Sequence, residues 1–192
     1  MRKKLLLLIP FILVLCIIAI YFFNSLNAIA VHVVSYTGIY RIIEQVVIPL
    51  EVQSTLFLLR ILDIKATGAG SIISVIHGSK WQNFIVTWNC TGWQSLVILL
   101  ISYITLIQFK GIFLKKAAII FTGIIWMYFV NIIRITLQIG IFHKAGFAPA
   151  FVFHDYFAKA YLILMFCIFW IAVYNFVLKG EAQNISKQET AY

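Results

Sequence analysis

Three side chains in this sequence have the types that covalent chemistry needs: Cys90, Arg134 and His154. A thiolate can attack a carbonyl carbon, a guanidinium can donate to a developing oxyanion or hold a carboxylate, and an imidazole can pass protons near neutral pH. Cys90 sits where a glycine-bearing stretch gives way to an apolar run, and a helix N-terminus there would favour the thiolate. Position alone fits a reactive thiol and a structural one equally. Arg134 lies inside an apolar run with Asn131 on the same face at i, i+3 spacing. It either snorkels to the membrane interface or points into a cavity, as intramembrane charges commonly do. His154 stands in Phe151-Val152-Phe153-His154-Asp155-Tyr156-Phe157, just before the last apolar run, and His143 in the same loop competes with it. For His32 and His77 the sequence identifies no partner. Cys16 and Cys167 fall in mid-run, where a thiol behaves as a small hydrophobe. Among three cysteines there is no CxxC pair and no Cys/His cluster, so nothing implies a metal, a disulfide scaffold or an organic cofactor.

The elements that must position these groups are membrane elements. The 192 residues are 63% hydrophobic and 11% charged, with a mean hydropathy of +1.01, which excludes a water-soluble monomer. Fifteen Lys and Arg against six Asp and Glu give +9, but such apolar blocks leave no basic face for nucleic acid. The charge instead orients the chain. Residues 5–23 read as a retained N-terminal anchor rather than a cleaved signal peptide. Residues 117–139 and 158–178 are each long enough to cross, and 94–109 reaches spanning length when 91–93 extend it. Residues 39–62 carry Arg41, Glu44, Glu51 and Arg60, a heavy load for lipid. The lysine loop at 110–116 should share the cytoplasmic side with Arg2, Lys3 and Lys4, which requires an even number of crossings between them. Residues 39–62 are therefore expected to lie at the outer interface or re-enter.

The resulting expectation is an all-α polytopic membrane protein forming a single membrane-embedded domain. It has about four transmembrane helices, the interfacial or re-entrant helix, a small extracytoplasmic β-hairpin within 63–89, a three-helix catalytic core over 91–178 and a mobile cytoplasmic tail over 179–192. The hairpin strands are expected at 71–76 and 82–88. A two-stranded hairpin is marginal without a helix to pack against. Under this topology Cys90, Arg134 and His154 converge on one membrane face.

Asn89-Cys90-Thr91-Gly92 before an apolar helix, Asn131-Ile132-Ile133-Arg134-Ile135 within a later one, and Phe153-His154-Asp155 opening the last resemble the exosortase/archaeosortase family. The likeness runs from about residue 56 to 177, and departs from the family where Ala158 replaces a frequent glycine. It implies a cysteine peptidase or transpeptidase with Cys90 as nucleophile, Arg134 as oxyanion donor and His154 as acid and base. It also implies location in the inner (cytoplasmic) membrane with the site facing outward. Its substrates would be membrane-anchored proteins carrying a C-terminal sorting signal, passed to an amine or lipid acceptor. Asp155 is given no role, since neighbouring side chains in a loop need not meet. Two other classes fit the spans: a non-catalytic scaffold or assembly subunit, and a small transporter using Arg134, Glu44 and Glu51.

Overall fold

Residues 31–32, 35–107 and 113–175 are described by the structure, a computed structural model. The chain divides into two compact units, Met1–Ile42 and Ile43–Tyr192. In the first, a short helix Ile39–Ile42 carries Arg41, whose Nε donates to the Tyr40 hydroxyl at 3.3 Å. The expected anchor at 5–23 and tail at 179–192 lie outside the described residues.

In the second unit a π-helical stretch Ile43–Val47 leads into α1, Ile48–Ile61. Pro49 stands in the first turn of α1 and has no N–H to bond back to the π-helical stretch before it. Ile48, Glu51, Val52, Thr55 and Leu59 are buried, and their spacing of three and four traces one helical face. By length and composition Tyr40–Ile61 is a candidate membrane span of 22 residues. One of the charges counted against a crossing, Glu51, is only 1% exposed and faces protein.

Three antiparallel strands follow, in spatial order β1 (Ala66–Ala69), β2 (Ile72–His77), β3 (Lys80–Ile85). The expected hairpin is thus a three-stranded sheet, and Trp88 belongs to the turn after it instead of a strand. His77 pairs with Lys80, which leaves Gly78-Ser79 as a two-residue turn; Gly78 has φ +63°, as such tight turns require. Along β2, Ile73 and Val75 point inward and are fully buried. They join Ile48, Val52 and Leu59 of α1 and Ile135 and Ile139 of a later helix in one core. That packing supplies what two strands alone would lack.

After a 3-10 turn Trp88–Cys90, α2 spans Trp93–Ile107 and α3 spans Phe113–Ala145. The 33 residues of α3 extend for about 50 Å at 1.5 Å per residue, beyond the ~30 Å of a hydrocarbon core. Its last turns project to meet the sheet: His77 Nδ1 donates to the His143 carbonyl at 2.9 Å, and His143 Nδ1 donates to the Ile76 carbonyl at 2.8 Å. Then come α4 (Phe147–Val152), a π-helical turn Phe153–Phe157 and α5 (Ala158–Val173). Phe113–Ala145 and Phe147–Val173 are candidate spans where two were expected. The 15 residues of α2 cover about 22 Å, short of a crossing within the described residues.

Helices α2, α3 and α5 share a second core of Leu99, Ile119, Met127, Phe169 and Val173. A Cβ on Gly123 would stand 2.9 Å from Leu99 and 3.0 Å from Phe169, so the missing side chain is what lets the three helices close up. Trp126 Nε1 donates to the Met165 carbonyl at 3.1 Å, which together with the Gly123–Phe169 approach fixes α3 and α5 as an antiparallel pair.

Candidate active site

Cys90 ends the 3-10 turn that β3 feeds into. Its N–H donates to the Thr87 carbonyl at 2.8 Å, and Thr91 caps the turn from the other side, its hydroxyl donating to the Trp88 carbonyl at 2.7 Å. The half-buried thiol lies 3.5 Å from the Thr87 hydroxyl. Gly92 then reverses the chain at φ +68° into α2. A Cβ on Gly92 would come within 3.1 Å of the Asn131 side chain. Both demands fall on one residue, so Gly92→Ala is expected to lower stability by about 1–3 kcal/mol through backbone strain. Thermal unfolding in detergent measures that loss, and retention of the wild-type midpoint would contradict it.

On α3, Asn131 and Arg134 are buried at 1% and 8% exposure and share a face, as their spacing predicts. Arg134 does not snorkel. Its Nη2 donates to the Cys90 carbonyl at 2.6 Å and its Nε to Asn131 Oδ1 at 3.1 Å. Asn131 Nδ2 in turn donates to the same Cys90 carbonyl and to Glu51 Oε1, each at 2.9 Å. Two elements far apart in sequence are therefore pinned at the cysteine backbone. The guanidinium is within electrostatic range of both the Cys90 sulfur and the Glu51 carboxyl, and its Nη1 takes no part in these bonds.

His154 lies in the π-helical turn before α5, and its Nδ1 is 2.9 Å from Asp155 Oδ1. The two adjacent side chains, a pairing the sequence left undecided, do meet, because the turn brings them side by side. Among the described residues no hydrogen bond joins His154 to Cys90 or Arg134. In the α3–α5 register set by Trp126 and Met165, His154 stands about one helical turn from the level of Arg134. The structure thus joins Cys90 to Arg134 and leaves His154 bonded to Asp155. His143 and His77, by contrast, are occupied in fastening the sheet to α3. Cys167 is an exposed thiol on α5, and Cys16 lies outside the described residues.

Sequence reasoning gave Glu51 a place only in a transporter. Its position on the same stripe as Ile48, Val52, Thr55 and Leu59 was the available signal that it faces inward. Among the described residues no group of three or more His, Cys, Asp or Glu could hold a metal ion.

Comparison with known proteins bears on the same residues. No curated protein and no solved structure matches the chain significantly. The family model described as transmembrane exosortase matches residues 4–173, a range that contains the cysteine turn, the Asn131–Arg134 face and the His154 turn. On that match over most of its length, the chain belongs to the transmembrane exosortase family.

Proposed function

We propose that this protein is an integral-membrane cysteine transpeptidase that removes C-terminal sorting signals from secreted proteins and passes the trimmed proteins to an acceptor. The observation that carries the reading is the 2.6 Å bond from Arg134 to the Cys90 carbonyl: a buried guanidinium is fixed beside the one cysteine that stands at a loop-to-helix junction. In the reaction, Cys90 as thiolate attacks the scissile carbonyl and the C–S bond forms. The tetrahedral oxyanion is stabilised by the free donors of Arg134. The C–N bond then breaks, and the leaving amine takes a proton from His154 to give a thioester. An amine or lipid hydroxyl, deprotonated by the now neutral His154, attacks the thioester carbonyl and displaces the Cys90 thiolate, restoring the starting state.

Two features support an extracytoplasmic site in the inner membrane. Lys115 and Lys116 open α3, where positive charge marks the cytoplasmic side, and Arg134 lies toward the opposite end of that helix. A substrate with a hydrophobic C-terminal helix and a basic end would approach sideways through the bilayer, its motif meeting Cys90 while its basic end stays with those lysines.

Co-expression with a membrane-anchored protein carrying such a tail tests the reading. The expected result is enzyme-dependent loss of the tail, with a hydroxylamine-sensitive adduct on Cys90. Absence of both, with enzyme and substrate inserted in the same membrane, would overturn it.

A further inference from the structure

Arg134 can serve as an oxyanion donor only if its guanidinium is held in one orientation, and the side chains that hold it are on two different helices. Asn131 spends every polar atom: Nδ2 donates to Glu51 Oε1 and to the Cys90 carbonyl, and Oδ1 accepts from Arg134 Nε. An amide can sit in such a cluster two ways, but here the partners leave no choice. Guanidinium N–H groups only donate, while a carbonyl and a carboxylate accept. Turning the amide over would set its oxygen against two acceptors and its NH2 against Arg134.

The Cys90 carbonyl already receives Arg134 Nη2, so Glu51 is the acceptor whose demand for the amide donor is not otherwise met by a hydrogen bond. Its other oxygen, Oε2, is buried and makes no hydrogen bond among the described residues. For stability alone an apolar residue of similar volume would serve better at such a position. We infer that Glu51 is a positioning residue that locks the Asn131 amide and, through it, aims Arg134 at the oxygen of the substrate carbonyl beside Cys90. The catalytic consequence rests on the transpeptidase reading; the orientation of Arg134 does not.

The test separates the two. In protein carrying Cys16→Ser and Cys167→Ser, Cys90 is the sole thiol. Its labelling in membranes is followed with an anionic sulfonate thiosulfonate and a neutral methyl thiosulfonate. An aimed guanidinium next to the sulfur should favour the anionic reagent by about tenfold, and Arg134→Met should remove that preference. Glu51→Met fills the space without an acceptor; losing its negative charge would by itself raise the ratio, so a fall of at least about threefold below the parent is the expected mark of lost aim. Glu51→Gln keeps an acceptor and should hold the ratio within about threefold of the parent.

A Glu51→Met protein that inserts normally and keeps the anionic preference overturns the inference, as does a Glu51→Gln protein that loses it completely. Should Glu51→Met fail to accumulate, Glu51→Ala, which likewise offers no acceptor, takes its place: a ratio at or above the parent's overturns the inference. Tail release measured in parallel keeps the readings apart. If labelling behaves as expected while the parent releases no tail, the transpeptidase reading falls and the positioning role stands.

Discussion

Cys90→Ala is expected to reduce tail release from a co-expressed substrate to background, a loss of about 10⁴-fold or more on the scale of nucleophile removals in covalent catalysis. The size follows from the chemistry. Without the sulfur no thioester forms, and the donors of Arg134 can only polarise a carbonyl that nothing attacks. Cys90→Ser should be nearly as inactive, because a hydroxyl in this turn has the Thr87 hydroxyl as its neighbour and no base bonded to it among the described residues. The fold should be indifferent to either change. The contacts that anchor Cys90 to Asn131 and Arg134 run through its backbone carbonyl, which substitution leaves in place. Gel mobility of the substrate, normalised to enzyme in the membrane fraction, reads the outcome. Undiminished processing by Cys90→Ala would remove the thiol from the mechanism.

Arg134→Lys should lower turnover by about 100-fold or more while leaving the protein inserted, the magnitude of losing one oxyanion donor. Charge is conserved, so the expected loss is one of geometry. The guanidinium reaches Asn131 Oδ1 through Nε and the Cys90 carbonyl through Nη2, and its Nη1, which makes no hydrogen bond among the described residues, is the donor the proposal assigns to a substrate. An ammonium is a single point with three hydrogens and cannot hold that fork. The fall should appear in kcat more than in KM, since the donor acts on charge that develops in the transition state. Arg134→Ala should be at least as damaging, and should also destabilise the protein, because Asn131 Oδ1 and the Glu51 carboxyl would lose their buried cation. A Lys variant with wild-type turnover would exclude the oxyanion role.

His154 enters differently from the other two. It belongs to the π-helical turn between α4 and α5, and its bond to Asp155 engages Nδ1, so that in the proposed reaction Nε2 is the nitrogen that would exchange protons. That pairing was not legible from adjacency alone, because neighbours face one another only in particular backbone conformations. In a π-helical turn they do here.

Much of the architecture was written in local pattern. The runs at 117–139 and 158–178 announce helices because a bilayer demands about twenty apolar residues, and the structure gives helices at Phe113–Ala145 and Phe147–Val173. Asn131 and Arg134 share a face because helical geometry puts i and i+3 together. The short β1 was missed because Ala-Thr-Gly-Ala carries neither bulk nor alternation, and it is a strand only through its pairing with β2.

The burial of Glu51 within residues 39–62 was not legible for a related reason. A charge count treats every ionisable side chain as facing lipid, whereas Glu51 finds its amide donor 80 positions away. Sequence by itself determined that this is a membrane protein, where its chemistry-bearing residues stand, and which of them share a helical face. All of that depends on composition and on the period of a helix. Only the tertiary structure decided that Glu51, Asn131 and Arg134 close around the Cys90 carbonyl, since hydrogen bonds between distant elements depend on packing that no local period encodes.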